Sequence, residues 1–521
     1  MCRYSSRAGS GSYGSACISG RSSYESAIEV RVICIVILGP TLEEARLQIQ
    51  QASLHADLIE LRLDYFIHRE PTTLKSLLKE FPLPMIFTLR SKSQGGHYPY
   101  DEKTRLQEIK CLAACKPAYL DIEADVPHAF ITQISQDQPG IKLIISYHHF
   151  KDTPANLKDI LDKLPAIKNG IYKIATHSFC TVDTLKQMYE AKNQQNIISI
   201  SMREDGQISR ILAPVVGSPI TYASLDEKCK AAPGQLPAQQ LRETYGYKAL
   251  NLQTALYGLI GDPVSASIGH LTHNALMQAL NLNAVYVKMR VKPQELKVCL
   301  NLMKKLGFQG LSVTMPLKRE IIGFLDQVDE EALAMGAVNT LLLKDGQWIG
   351  YNTDGKGALE SIETWGTVKD KKIILLGAGG AARAIAFEAR RKGAALIILN
   401  RTIQKAEQLA DDFGGQAGSL EMMQAYFQAG YDILINCTSH SFPIAPSNLS
   451  KEALVMDITS NPKDTAFLKS AIKRGCRIVY GYQMFIRQAV KQFKLWFPEK
   501  IDEKDALEIL EKKALESLFV K

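Results

Sequence analysis

The sequence predicts an α/β protein in which a (β/α)8 TIM barrel is followed by a unit that contains a Rossmann-type nucleotide-binding domain. Two observations predict this fold class. Short β-branched runs alternate with helical stretches through the first half of the chain, as in a parallel barrel. In the second half, a glycine-rich turn at residues 377–382 follows an apolar run and precedes an alanine-rich stretch, which is the order of a dinucleotide-binding βαβ unit.

Length and composition set the class of protein. A chain of 521 residues is long for one domain, so two or three domains are expected. The net charge of +8 comes from 62 basic and 54 acidic residues without a block of like charge, which argues against a nucleic-acid partner. No apolar run approaches the length of a membrane span. The 10 cysteines are scattered, which favours free thiols and no metal.

The first 29 residues have a composition of their own. They are rich in Ser and Gly, have few acids, and lack the apolar core of a secretory signal. We interpret residues 1–29 as a disordered leader, with an upstream start codon or a transit peptide as alternatives. The predicted location is therefore cytoplasmic, or plastid if the leader is a transit peptide.

Eight strands are predicted for the barrel. They are residues 30–38, 58–63, 84–89, 118–122, 142–147, 170–175, 196–202 and 218–223. Barrel enzymes place their chemistry at the C-terminal ends of the strands, and polar residues lie at those ends here. These residues are Glu60, Arg62, Asp64, Arg90, Asp121, Glu123, His148, His149, Lys173 and, in the loop after the seventh strand, Arg210.

Lys173 is the main catalytic candidate of the first half. The residues around it follow the alternating apolar pattern of a strand, so its amine should point into the barrel mouth. A lysine in that position is a candidate nucleophile for imine formation. The alternative is a structural ion pair with Glu60 or Glu123. His148, one strand away, is suited to proton transfer near neutral pH, although a hydrogen-bonded structural histidine is the alternative.

Five motifs in the first half resemble type I 3-dehydroquinate dehydratase. They are Glu-Leu-Arg-Leu-Asp at 60–64, Thr-Leu-Arg at 88–90, Ser-Tyr-His at 146–148, Lys-Ile-Ala at 173–175 and Pro-Gly-Gln at 233–235. The resemblance covers about residues 30–240. It implies that Lys173 forms an imine with the substrate ketone, and that His148 removes a proton and helps to expel water.

The same resemblance implies the substrate-binding residues of the barrel. Arg210 would hold the carboxylate, and the hydroxyl face would be bound by Glu60, Arg62, Arg90 and Gln235. Two positions depart from the family pattern. Gln94 replaces a frequent glutamate, and Ala231 replaces a frequent serine. Both departures concern the lid over the substrate.

The glycine-rich turn predicts a nucleotide site. It consists of Gly377, Ala378, Gly379, Gly380 and Ala381. Glycines let the backbone approach a pyrophosphate, and the following helix N-terminus offers free N–H groups to it. The next apolar run ends at residues 400–402, Asn400, Arg401 and Thr402. An NAD-binding unit usually carries an acid there, whereas an arginine suits a 2′-phosphate. The predicted cofactor is therefore NADP.

The motifs of the second half, taken in order, resemble shikimate dehydrogenase over nearly all of residues 255–500. They lie at 257–263, 313–318, 336–340, 351–354, 433–439 and 481–488, on either side of the nucleotide unit. The resemblance implies a linker at 241–254, a substrate domain at 255–357 completed by 480–521, and an NADP domain at 358–479.

The resemblance also implies roles for single residues. Lys318 and Asp354 would be the paired groups beside the reacting carbonyl, with the lysine as proton donor. The cyclic acid would be bound by Ser265, Ser267, Thr314, Asn339 and Gln488. Thr438 and Gly481 would join the cofactor site.

Several family positions differ in this half. Gly269 stands where a second carboxylate-binding serine is usual, and His270 replaces a proline. Ser312 replaces an asparagine, and Ser460 replaces a tyrosine. The loss of one hydroxyl donor should cost about 1 kcal/mol if nothing replaces it, so substrate affinity is the least secure part of this resemblance.

The combined resemblance predicts a bifunctional enzyme of aromatic amino acid biosynthesis. It would convert 3-dehydroquinate to 3-dehydroshikimate and then reduce that product to shikimate, with these small molecules as its partners. One alternative is a catabolic dehydrogenase that oxidises quinate or shikimate. Another is a non-catalytic metabolite sensor, which the presence of Lys173, His148, Lys318 and Asp354 disfavours. A class I aldolase barrel would not carry this arginine set. The oligomeric state is not predicted.

Overall fold

The structure is a computed structural model. It describes residues 31–519 except 155, 193, 195, 439, 441–444 and 446–448. The predicted leader at 1–29 lies outside the described residues. Within the described part of the chain, every helix is too short or too polar to cross a membrane.

The first half forms a parallel sheet that curls into a nearly closed barrel, which confirms the predicted (β/α)8 fold. The strand order is β7-β6-β5-β4-β3-β2-β1-β8, and the outer strands meet through a hydrogen bond from the Ser199 nitrogen to Ser218 Oγ at 3.3 Å. The strands are β1 (Val32–Ile37), β2 (Leu58–Arg62), β3 (Met85–Thr88), β4 (Tyr119–Glu123), β5 (Lys142–His149), β6 (Ile171–His177), β7 (Ile197–Met202) and β8 (Ile220–Ala223).

Helices follow the strands and pack on the outside of the barrel. In the first of them the buried face consists of Ala45, Ile49 and Ala52, and Thr41 caps the helix through a capping box with Glu44. The helices are α1 (Leu42–Ala52), α2 (Pro71–Glu80), α3 (Glu102–Ala113), α4 (His128–Asp137), α5 (Lys158–Leu161), α6 (Thr181–Ala191), α7 (Gln207–Ile211), α8 (Ala213–Val216) and α9 (Ala238–Glu243).

A second, mixed sheet follows, in the order β10-β9-β11-β13-β14-β12. Its three leading strands are parallel, and β13 and β14 form an antiparallel hairpin beside them. The strands are β9 (Ala255–Gly261), β10 (Ala284–Arg290), β11 (Phe308–Val313), β12 (Gln327–Val328), β13 (Thr340–Lys344) and β14 (Gln347–Tyr351). The helices are α10 (Gly269–Ala279), α11 (Leu296–Leu306), α12 (Leu317–Glu320) and α13 (Glu330–Met335).

The third sheet is wholly parallel and confirms the Rossmann-type prediction. Its order, β17-β16-β15-β18-β19-β20, reverses direction between β15 and β18, where sheets of this kind bind ligands. The strands are β15 (Lys372–Leu376), β16 (Ala395–Asn400), β17 (Gln416–Ser419), β18 (Ile433–Asn436), β19 (Leu454–Asp457) and β20 (Arg477–Val479). The helices are α14 (Asp354–Glu363), α15 (Gly380–Arg391), α16 (Ile403–Phe413), α17 (Met423–Gln428) and α18 (Ala466–Lys473).

The last two helices, α19 (Gly481–Trp496) and α20 (Glu503–Phe519), return to the second sheet. Phe493 and Trp496 pack there in one buried cluster with Tyr257 and Tyr286. Helix α19 also packs closely on α14. Gly357 of α14 allows this approach, since a Cβ there would lie only 2.7 Å from the Gln488 nitrogen. The C-terminal helices therefore connect the second and third sheets.

The two halves of the chain share one apolar core. Leu185 and Met188 of α6 belong to the same buried cluster as Leu300 and Met303 of α11. Helix α9 runs across the predicted boundary at 240 and 241, and α14 runs across the one at 357 and 358. The domain boundaries stay predictions.

Candidate active sites

A cavity of about 100 Å³ opens at the C-terminal ends of the barrel strands. Its walls hold every residue that the resemblance implied for this half, namely Glu60, Arg62, Arg90, His148, Lys173, Arg210 and Gln235. Gln94 and Ala231, the two departures from the family pattern, line it as well. The predicted residues of the first half therefore converge on one site.

Lys173 lines this cavity and is 4% exposed. Its Nζ is 2.5 Å from Asp121 Oδ2 and 3.8 Å from Glu60 Oε1, and it lies 4.6 Å from the centroid of the Tyr222 ring. Glu123, the other predicted partner, instead accepts hydrogen bonds from Arg105 and from the Ser91 nitrogen. Glu123 is therefore not a partner of Lys173. Asp121, which is the nearer of its two carboxylate partners, was not predicted in that role.

Asp121 joins the two cations of the site. Its Oδ1 accepts from Arg90 at 2.8 Å and from Ser146 Oγ at 2.7 Å, while its Oδ2 faces Lys173. Burial alone would raise the pKa of Asp121, but the charges of Arg90 and Lys173 outweigh it and hold that pKa well below its usual range. The carboxylate is therefore ionised and compensates the cations around it.

His148 lies beside Lys173 on the adjacent strand, where it pairs in register with Ala175. Desolvation and the charges of Arg90 and Lys173 lower the pKa of His148 well below that of an ordinary histidine. Its Nδ1 has no hydrogen-bond partner among the described residues. A neutral imidazole with a free ring nitrogen is able to accept a proton from a ligand in the cavity.

Arg210 is a buried cation of this cavity without an ion-pair partner among the described residues. Its guanidinium donates to the Ser201 carbonyl at 2.7 Å, and its Nε has no partner in the described part of the chain. Burial lowers the pKa of Arg210 to about 10. The Tyr222 hydroxyl, on the same cavity wall, is also without a partner among described residues. An anionic ligand with further oxygen atoms would satisfy these groups, because buried polar atoms are costly when unpaired.

Lys318 and Asp354 form the centre of the second site. Lys318 lies in the short helix α12, which follows β11, and Asp354 is the first residue of α14. The distance from Lys318 Nζ to Asp354 Oδ2 is 2.5 Å. Asn339 donates from Nδ2 to Asp354 Oδ1 at 2.9 Å and to Gln488 Oε1 at 3.2 Å. Two predicted catalytic residues and two predicted substrate-binding residues therefore form one hydrogen-bonded network.

Asn339 is held in place from behind by Gln492. The Gln492 amide donates to the Asn339 carbonyl at 3.2 Å, and its oxygen accepts from Ser312 Oγ at 2.9 Å. Gln492 was not predicted as a site residue. It lies four residues after Gln488 on α19, so the two side chains share one face of the helix, and this spacing could have indicated its role. Ser312, at a position that departs from the family pattern, thus supports the site from outside it.

The remaining predicted substrate residues lie at the ends of β9 and β11. Ser265 is exposed, Ser267 Oγ accepts from the Gly269 nitrogen at 3.2 Å, and Thr314 donates its backbone nitrogen to Ile260 at 2.9 Å. Among the described residues, no hydrogen bond joins these three to the Lys318 network. Since Ser267 uses its oxygen as an acceptor, its hydroxyl proton stays available to a ligand.

The nucleotide turn lies directly beside this network. A Cβ at Gly380 would lie 3.1 Å from Lys318 Cβ, whereas a Cβ at Gly379 would meet nothing within 4 Å. Gly377 has a φ of +106° and adjoins Thr438. The open space at Gly379, at the N-terminus of α15, fits a pyrophosphate. The glycine turn therefore adjoins Lys318.

The turn after β16 carries the residues that the sequence predicts for the ribose-binding segment. Asn400 Nδ2 donates to the Thr402 carbonyl at 2.8 Å, which shapes the turn around Arg401. The Arg401 side chain is exposed. Gly481, the other predicted cofactor residue, is the first residue of α19, where a Cβ would come within 2.3 Å of the Thr459 carbonyl oxygen.

His270 should make stability depend on pH. Burial, with Lys288 nearby, lowers the pKa of His270 to about 3. Because an unfolded histidine titrates near 6.5, the unfolded chain binds more protons below that pH, so the folded state loses stability as pH falls. Between pH 7 and pH 5 we expect His270 to account for about 2 kcal/mol of the loss. His270→Gln should therefore show a smaller acid shift of its urea midpoint, and equal shifts would contradict the assignment.

Comparisons with known proteins match both halves of the chain to known families. Residues 33–251 match the family model of type I 3-dehydroquinase. Residues 259–341 match the shikimate dehydrogenase substrate binding domain, and residues 360–469 match shikimate / quinate 5-dehydrogenase.

Three relatives span the chain or its second half. Shikimate biosynthesis protein AroDE of Chlamydia pneumoniae is 36% identical over 473 residues, which cover 90% of this chain and 96% of that protein. The chloroplastic bifunctional 3-dehydroquinate dehydratase/shikimate dehydrogenase of Arabidopsis thaliana is 33% identical over 494 residues, 89% of this chain and 82% of that protein. Shikimate dehydrogenase (NADP(+)) of Methanococcus aeolicus is 40% identical over 266 residues, 49% of this chain and 95% of that protein.

The fold and the two sites define a lyase barrel joined to a nicotinamide-dependent dehydrogenase. The relatives that cover both halves identify the family to which the whole chain belongs. The chain belongs to the family of bifunctional 3-dehydroquinate dehydratase/shikimate dehydrogenases.

Proposed function

We propose that the protein catalyses two consecutive reactions at two separate sites. The barrel dehydrates 3-dehydroquinate to 3-dehydroshikimate, and the second half reduces 3-dehydroshikimate to shikimate with NADPH. The observation that carries this proposal is the presence of a lysine–carboxylate pair in each half, Lys173 with Asp121 and Lys318 with Asp354. The family and the names of its members agree with both activities.

In the barrel, the Lys173 amine attacks the ketone carbon of the substrate and forms an imine with loss of water. His148, which is neutral in the free site, removes a proton from the neighbouring ring carbon, and the electron pair is delocalised into the imine. The same histidine then gives its proton to the departing hydroxyl group, which leaves as water. Hydrolysis of the imine releases the enone product and restores Lys173.

The charges around Lys173 support these steps. Arg210 lies in the cavity without a counterion among the described residues, so it suits the substrate carboxylate. Asp121 and Glu60 lie within 4 Å of the Lys173 amine and balance its charge as the imine forms and breaks. Arg90 holds Asp121 from the opposite side at 2.8 Å.

In the second half, bound NADPH would provide the hydride that reduces the substrate carbonyl carbon. Lys318 donates a proton from Nζ to the carbonyl oxygen as negative charge develops there. Asp354 keeps the Lys318 amine in place and accepts a hydrogen bond from the substrate, while Asn339 fixes the orientation of Asp354. The open turn at Gly379 and the exposed Arg401 would hold the pyrophosphate and the 2′-phosphate of the cofactor.

Each activity is measured with its own substrate. The barrel should convert 3-dehydroquinate to an ultraviolet-absorbing enone without any nucleotide. The second half should oxidise NADPH when 3-dehydroshikimate is supplied. Binding of either substrate without turnover would instead favour the metabolite sensor.

Arg401 should determine the choice of cofactor. Its guanidinium is able to pair with a 2′-phosphate, which NADH lacks. Arg401→Ala should therefore raise the KM for NADPH by about 10-fold or more, in line with the loss of a charge-assisted hydrogen bond. The KM for NADH should change little in a steady-state comparison of both cofactors.

A control variant shows whether the effect is local. Lys369→Ala removes an exposed charge that precedes β15, at the opposite end of that strand from the nucleotide turn. It should leave both KM values unchanged. Equal use of NADPH and NADH by the unaltered protein would refute the role of Arg401.

A further inference from the structure

The loop after β7, residues 203–206, supports one wall of the barrel cavity. That wall is the capping segment, residues 231–235, of which Ala231 and Gln235 line the cavity. The Arg203 nitrogen donates to the Pro233 carbonyl at 3.0 Å. A Cβ at Gly234, whose φ is +80°, would lie only 2.1 Å from the Arg203 carbonyl oxygen. The capping segment therefore packs directly on the backbone of the loop.

The same loop leads into the helix that carries Arg210. Gly206 packs against the end of β7, since a Cβ there would lie 2.3 Å from the Ser201 carbonyl oxygen. Arg210 donates to that same oxygen at 2.7 Å, and the Ser201 nitrogen donates to Ser209 Oγ at 2.9 Å. A shift of residues 203–206 would therefore displace both Arg210 and the capping segment, on two sides of the cavity.

The loop conformation depends on contacts around it. Arg203 has a φ of +74°, which is rare for a residue with a side chain and persists only where the surroundings impose it. Asp205, two residues on, is fixed at its carbonyl by Thr184 Oγ1 at 2.9 Å. Its carboxylate is bound by the second half of the chain, because Arg290 donates to Oδ1 at 3.1 Å and to Oδ2 at 2.5 Å.

Arg290 is itself held at the interface between the halves. It is the last residue of β10, and its carbonyl accepts from Thr181 Oγ1 of the barrel at 2.6 Å. Asp205 is nearly buried, with 8% of its side chain exposed, whereas Arg290 is 45% exposed. The two-point contact orients the Asp205 carboxylate from outside the barrel.

We propose that Arg290, a residue of the dehydrogenase half, is a positioning residue for the dehydratase site. Its ion pair with Asp205 holds residues 203–206 in the conformation that supports Arg210 and the capping segment. The dehydratase site is thus completed by the second half of the chain, although Arg290 does not line the cavity. This inference rests on the proposed dehydratase function of the barrel.

The test is the kinetics of dehydration by Arg290→Ala in the full-length protein. The KM for 3-dehydroquinate should rise about 2- to 5-fold, the range that an exposed ion pair supports, while kcat changes little. Reduction of supplied 3-dehydroshikimate should keep its rate and KM. Arg290→Lys should show a smaller rise in the KM for 3-dehydroquinate than Arg290→Ala. The double variant that exchanges the charges, Asp205→Arg with Arg290→Asp, should have a lower KM for 3-dehydroquinate than either of its single variants.

Lys192→Ala is the matched control. Lys192 Nζ donates to the Leu306 carbonyl at 3.0 Å across the same interface, away from the loop at 203–206. This variant should leave the KM for 3-dehydroquinate unchanged. An unchanged KM in Arg290→Ala would overturn the inference, as would an equal rise in Lys192→Ala, which would indicate general loosening of the interface. Failure of the unaltered protein to dehydrate 3-dehydroquinate would refute the proposed function instead.

Discussion

Lys173→Ala should reduce dehydration of 3-dehydroquinate by about 10⁴-fold or more, because it removes the only nucleophile that the proposed mechanism uses. Reduction of supplied 3-dehydroshikimate should continue at its normal rate. In the unaltered protein, borohydride added together with 3-dehydroquinate or its product should reduce the imine and leave a permanent adduct. Mass spectrometry of the digested protein should locate this adduct on Lys173.

Lys173→Arg distinguishes the nucleophile from a structural cation. Arginine keeps the positive charge between Asp121 and Glu60, so a purely ionic role would be restored by it. A guanidinium does not form the imine, so this variant should fold, resist borohydride labelling and stay inactive. Substantial dehydration by either variant would refute the assignment of Lys173.

Lys318→Ala should lower the rate of 3-dehydroshikimate reduction by about 10²–10⁴-fold, the usual effect of losing a proton donor that acts in the transition state. Dehydration should proceed near its normal rate, because Lys318 lies outside the barrel cavity. When the variant receives 3-dehydroquinate and NADPH, 3-dehydroshikimate should therefore accumulate. Its ultraviolet absorbance and the unchanged NADPH absorbance are followed in the same sample.

Lys356→Ala is a close control for this variant. Lys356 lies two residues after Asp354 on α14 and pairs with Glu331 at 2.7 Å on the surface. It should reduce 3-dehydroshikimate at nearly the normal rate. Loss of both reactions in folded Lys318→Ala would contradict two separate sites and indicate a single composite site.

Local sequence patterns were sufficient for the main elements of the fold. Each strand of the barrel was predicted to within about two residues at both ends. Runs of Ile and Val that are buried on both faces have few other structures open to them. The turn at 377–382 was recognisable because its glycines meet a local backbone requirement: Gly377 adopts a φ of +106°, which residues with side chains rarely adopt. These constraints act within a few residues, so the sequence displays them directly.

Contacts between distant elements were harder to predict. Asp121 was seen at the end of a strand, but its choice as the partner of Lys173 depends on the register between β4, β5 and β6. The contact of Arg290 with Asp205 depends on how two folded halves pack, and no local pattern encodes it. The roles of the site residues and the location in the cell stay predictions.

The bifunctional assignment is tested most simply by a single incubation of the purified protein with 3-dehydroquinate and NADPH, without any added enzyme. The second half has no substrate until the barrel makes it, so NADPH is consumed only if both sites work. We expect NADPH absorbance to fall steadily and shikimate to form in equal amount. A protein that leaves NADPH unchanged under these conditions, although it is folded and binds the cofactor, would contradict the bifunctional assignment.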